Sequence, residues 1–232
     1  LYFPCNSNDE AVDYSLSTFD QMNHEKQRYF FESLSTNTNE KAVAFLKNHR
    51  DKIYWHLFAR NPSDSAFAII LTELNENFNN ENIWHTLSMN TNDGVIALLR
   101  ENHDKIHWSW LSSNSNDGAI QILKENPDKI NWNYLCLNTN DGAIQMLRDN
   151  QDKICWSWLS SNTNDGAIAL LRKNPNNIDW YSLSRNTNED AIALLRENPD
   201  KIIWSSLCAN TNDAAVDLLF EHCNKKNVCI IC

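Results

Sequence analysis

Apolar positions in this chain recur with a fixed period of 24 residues, marked by Trp84, Trp108, Trp132, Trp156, Trp180 and Trp204. A Leu follows each of them by three residues, from Leu87 to Leu207. Polar positions keep the same step: Asn90, Asn114, Asn138, Asn162, Asn186 and Asn210, each with a second Asn two residues on, from Asn92 to Asn212. An apolar stripe such as Ile144, Leu147 and Ile154 closes each repeat, giving the consensus I-x-W-x-x-L-S-x-N-T-N-D-G-A-I-x-L-L-R-E-N-P-D-K. Self-similarity at a fixed step outranks local propensity as a guide to fold.

Upstream the register persists and decays. Phe31, Leu34, Asn37 and Asn39 match one repeat; Trp55, Phe58 and Asn61 match the next, which carries a five-residue insertion near Asn75 to Asn80. Asn6, Asn8, Ala11 and Val12 resemble the remains of an earlier one. The expected organisation is an irregular N-terminal cap with a degenerate repeat over 1–30, tandem repeats over 31–220 with the insertion near 72–80, and a C-terminal cap or tail over 221–232.

Within a repeat, the stretch after the second Asn predicts a helix. In residues 140–148, Asn140 is a good N-cap, Asp141 suits the positive end of the helix dipole, and Ala143, Ile144 and Leu147 form one apolar stripe. Arg148, Arg172 and Arg196 suit the negative end. Asn126-Pro127, Asn174-Pro175 and Asn198-Pro199 predict a restart, with Asn capping and Pro in the first turn of a second short helix that carries Trp and Leu. This favours an all-α solenoid of tandem 24-residue two-helix repeats; the alternative is a strand and a helix per repeat, as in leucine-rich repeats. One repeat cannot bury its own Trp, Leu and Ile, so neighbours must share those surfaces, at roughly 25 cal/mol per Å² removed from water. Gly94, Gly118, Gly142 and Gly166 share one position in the helix's first turn, where a missing side chain lets neighbouring repeats approach.

Charge and cysteine usage narrow the setting. A formal net charge of -10 disfavours non-specific binding to phosphate backbones, and the basic residues sit one or two per repeat beside acidic ones. No apolar run approaches the roughly 18 residues of a membrane span. The seven Cys have no regular spacing: Cys136 and Cys208 stand where other repeats have Ser, and Cys155 precedes a repeat Trp. That pattern predicts small, reduced side chains rather than a disulfide framework. The one Asn-x-Ser/Thr triplet, Asn61-Pro62-Ser63, is disqualified by its proline. Both features predict an intracellular setting.

The phrases Asn-Pro-Asp-Lys-Ile-x-Trp and Leu-Ser-x-Asn-Thr-Asn resemble the Asn- and Trp-rich short helical repeats abundant in proteins of giant DNA viruses, over residues from about 31 to 220. Those proteins usually carry Asn-Pro-Asn before the second helix, where this chain has Asn-Thr-Asn-Asp-Gly. The resemblance implies a helical repeat and a viral origin, hence host cytoplasm or virion, and implies no activity.

The repeated residues have structural explanations. The Trp row, coupled to Leu, predicts core packing rather than a stacking ladder for bases or sugars. One Asn series should cap helices while the other satisfies loop backbone groups as an internal ladder. Variable positions are better carriers of function. Two residues past the repeat Trp lie Trp110, Tyr134 and Trp158 in three consecutive repeats, where others hold Thr86, Ser182 and Ser206. Such rings are either extra packing or a protein-binding hot spot, and their exposure discriminates. Near the C-terminus His222, Cys223, Cys229 and Cys232 make a weak metal-ligand set beside the more economical reading of a capping segment. No Ser elbow, phosphate-cradling Gly loop or paired metal-binding His motif is present. The expectation is a non-enzymatic scaffold binding other proteins, capsid proteins among the candidates, with no cofactor, small-molecule substrate or membrane. The alternative is a modular reader of single-stranded nucleic acid.

Overall fold

A computed structural model describes residues 7–76 and 81–226, without the side chains of Glu81, Asn82, Lys225 and Lys226. The fold is an all-α helical repeat solenoid: seventeen α-helices and no strand among the described residues. The chain groups into two compact bodies, Leu1–Ile122 and Leu123–Cys232. The strand-and-helix alternative is thereby excluded for the described residues.

Each regular repeat contributes a nine-residue helix, such as Asp93–Glu101, Asp141–Asp149, Asp165–Lys173 and Glu189–Glu197. A short helix beginning at the repeat Trp follows, such as Trp108–Ser112, Trp132–Leu135, Trp156–Leu159 and Trp180–Arg185. Long helices pack on the long helix of the next repeat, and short helices on short ones, within each body. The shared surface is Ala, Ile and Leu: Ala167, Ile168, Leu170 and Leu171 are all buried, as are Leu111, Leu135, Leu159, Leu183 and Leu207. A Cβ on Gly118 would come within 2.9 Å of Ile96 Cγ2 of the preceding repeat, and one on Gly166 within 3.0 Å of Ile144 Cγ2. The glycine thus marks a close approach of neighbours, as the spacing predicts.

Between helices the structure refines the sequence reading. His103–Lys105, Pro127–Lys129, Gln151–Lys153 and Pro175–Asn177 are single 3₁₀ turns preceding the Trp helix, not its start. Asn102, Asn150 and Asn174, each standing before such a turn, make no side-chain cap bond to it. An Asn at this place closes the helix behind it instead. The side-chain amides of Asn102, Asn150, Asn174 and Asn198 donate to the carbonyls of Leu98, Met146, Leu170 and Leu194, at 2.8–2.9 Å. The last carbonyls of a helix lack intrahelical donors, so an amide there satisfies one of them. In the repeat that carries the insertion the long helix runs Asp64–Glu76, and Asn77 to Asn80 of the insertion lie outside the described residues.

Candidate interaction surface

The recurrent polar residues are occupied in holding repeats together. Asn162 is buried; its Oδ1 accepts the Asn164 N–H at 2.9 Å, and its Nδ2 donates to the carbonyls of Cys136 (2.8 Å) and Asn138 (2.9 Å) in the repeat before. Asn114, Asn186 and Asn210 repeat the pattern. The second Asn caps its own helix and reaches backwards: Asn164 Oδ1 accepts the Gly166 N–H at 2.7 Å, while its Nδ2 donates to the Thr139 carbonyl and the Asp141 carboxylate at 2.9 and 2.8 Å. Both expected roles of the Asn series are observed, and the capping series also bridges repeats.

A third ladder runs through Ser. Ser160 Oγ donates to the Trp156 carbonyl at 2.7 Å and accepts the Asp179 N–H of the next repeat at 3.1 Å. Ser35, Ser88 and Ser184 likewise accept from Tyr54, His107 and Ile203. Cys136 stands in this row, its Sγ accepting the Cys155 N–H at 3.3 Å. Burial pushes its thiol up to about 11, so it stays protonated and inert at neutral pH. Cys136 and Cys155 are free thiols, but Cys208 is disulfide-bonded. The all-reduced expectation fails there.

The Trp row is less enclosed than its coupling to Leu predicts. Trp84 is fully buried, whereas Trp55, Trp108, Trp132, Trp156, Trp180 and Trp204 are half-buried. The reason is position: each opens a helix of only four to six residues, in which the Leu, or Phe58 after Trp55, three positions on is buried in its place. Polar neighbours cover some of these faces, with Lys153 Nζ 4.6 Å from the Trp132 ring and His222 stacked on Trp204 at 3.6 Å.

Trp110, Tyr134 and Trp158 are all half-buried, so each presents part of its ring to solvent. Tyr134 and Trp158 meet edge to face at 5.6 Å and 85°. Trp110 packs against His107 at 5.0 Å, and His107 lies 5.0 Å from His85 of the preceding repeat. Tyr181 and Ile203 are also exposed, at 59% and 38%. Sequence reasoning missed these two because each is a single variable residue.

Of the C-terminal ligand set, His222 is engaged with Trp204, Cys223 is a half-buried thiol, and Cys229 and Cys232 lie outside the described residues. No group of three or more His, Cys, Asp or Glu suited to a metal occurs among the described residues. No described helix is long and apolar enough to cross a membrane. No family model, curated protein or solved structure matches the chain.

Proposed function

We propose that the chain is a non-enzymatic scaffold that captures other proteins, with Trp110, Tyr134 and Trp158 as contact residues. The observation that carries this reading is the contrast between repeated and variable side chains. The Asn and Ser that recur are spent on hydrogen bonds between repeats, whereas these three rings vary by repeat and keep an outward part. Partly exposed Trp and Tyr on a rigid support lose little side-chain entropy on binding, which suits them as anchors. Cations along the chain are largely offset by carboxylates, as in Arg50 with Glu73 and Glu76, Arg172 with Glu197 and Arg196 with Glu221. With the net charge of -10, that weighs against nucleic acid as the partner. The resemblance to giant-virus repeats extends the proposal to a capsid-associated component of a virion.

The test replaces Trp110 and Trp158 with Ala together and compares what co-purifies with each protein by mass spectrometry. A partner seen with the wild type should bind the double variant about thirtyfold more weakly, the effect of losing a hot spot of about 2 kcal/mol, at unchanged helicity. Equal affinity of the two proteins for every partner removes the aromatic rings from the reading.

A further inference from the structure

The residue before each repeat Trp varies, yet in three repeats it performs one task. Asn131 Oδ1 accepts the Tyr134 N–H at 3.3 Å, and Asp179 Oδ1 accepts the Ser182 N–H at 2.7 Å. His107 stands in the same place, its Nδ1 accepting the Trp110 N–H at 3.3 Å. These bonds cap the short helices, whose first N–H groups have no intrahelical partner. The Trp110 N–H is shared with the His107 carbonyl at 3.0 Å, so the ring supplies one of its two acceptors. An amide oxygen, or a carboxylate above its own titration range, remains an acceptor between about pH 5 and 8. An imidazole nitrogen does so only while its lone pair is bare, and histidine titrates within that window.

We propose that His107 is a proton-operated cap that lets go of the Trp110 N–H on acidification and loosens the start of the helix Trp108–Ser112. The geometry gives a protonated His107 two penalties. A proton on Nδ1 turns acceptor into donor, so two N–H groups oppose each other across the former bond. Across the repeat boundary stands His85, on the helix Glu81–Leu87, its ring 5.0 Å away and its electrostatic effect opposing a positive charge on His107. From the preceding turn come His103, Asp104 and Lys105; Asp104 pairs with Lys105 at 3.6 Å, and His103 sits edge-on to Trp108. Burial, then the charge of His85, hold the His107 pKa below the usual histidine value, against a weaker opposing pull from its own backbone. The folded protein therefore favours the neutral, capping form. The unfolded chain takes up the proton at higher pH, so this contribution to stability is complete above about pH 6.5 and declines as pH falls below it.

The ring attached to this switch is Trp110, so acid release of a bound protein follows if Trp110 is a contact residue; that extension alone rests on the proposed function. The experiment follows the Trp110 amide and the His107 ring by NMR from pH 8 to pH 5, with hydrogen exchange corrected for its intrinsic pH dependence. Protection of the Trp110 amide should fall roughly threefold or more as His107 titrates, the fold-change expected of a weakened cap. His107→Asn installs the side chain found in the sister repeat and should abolish that dependence while the Trp110 amide stays protected. His85→Ala should keep the dependence and move its midpoint upward. Protection in the wild type that ignores the His107 titration, or a pH dependence that survives in His107→Asn, overturns the proposal. If the amide responds but partner affinity at pH 5 and pH 8 is equal, the cap stands and the contact role of Trp110 falls.

Discussion

Between Asp9 and His49, successive helices are joined by a knot of rings: Phe19, Phe30, Phe31, Phe45 and His49 meet with centroids 4.2–6.1 Å apart. Between Asn131 and Asn212 the polar half of the same task is done by side-chain amides and hydroxyls bonded to backbone at repeat after repeat. Ring packing is broad in its geometric demands, so another apolar side chain of similar size can take a place in it. An amide that must meet two carbonyls and one N–H at once is directional, and fits only where the next turn of chain returns at the same offset. The amide rungs nevertheless persist in the aromatic region, where Asn37 Oδ1 accepts the Asn39 N–H and the Asn39 amide donates to the Ser7 carbonyl, both at 2.9 Å, so the ladder outlasts the strict sequence period. The ladder also spans an insertion between its rungs: beyond the five extra residues, Asn90 still donates to the Ala59 and Asn61 carbonyls at 2.8 and 2.9 Å.

The sharpest way to break this comparison is Asn162→Ala. It leaves the Cys136 and Asn138 carbonyls without the Asn162 donor and the Asn164 N–H without its acceptor, at a site that is 2% exposed. Unsatisfied buried groups each cost about 1–3 kcal/mol, so a loss of about 4 kcal/mol is expected in urea denaturation. In the aromatic knot, Phe30→Leu keeps the site apolar and should cost about 1.5 kcal/mol, although Phe30 is as buried as Asn162. Equal losses for the two would show that the ladder is no more demanding than the knot.

Much of this was legible from residue order. The period, the two-helix repeat, the capping Asn, the buried ladder Asn and the glycine at the close approach each follow from a residue type recurring at one place. Three features were not. The Asn of Asn-Pro reads as an opening cap because Asn and Pro commonly start helices, yet its amide reaches back to Leu170 or Leu194 and closes the helix behind. Exposure of the Trp row depends on how short the Trp helix is, which periodicity does not encode. The His107 cap could have been suspected from Asn131 and Asp179 at the same register, but only the bond to the Trp110 N–H reveals that the three share a role.

The smallest effect tests the other shared surface, where long helices meet. Gly166→Ala should raise helix propensity by about 1 kcal/mol. The new Cβ would stand 2.9 Å from Asn164 Oδ1 and 3.0 Å from Ile144 Cγ2, so the capping amide and its apolar neighbour must each give way by a few tenths of an ångström. Crowding of that size opposes the propensity gain with similar magnitude. The last repeat already carries Ala214 at this position and keeps its cap, with Asn212 Oδ1 accepting the Ala214 N–H at 2.8 Å. The net change should therefore lie within about 0.5 kcal/mol of zero by thermal or urea denaturation. A loss comparable to that of Asn162→Ala would mean that the helix-to-helix surface is as unforgiving as the amide ladder.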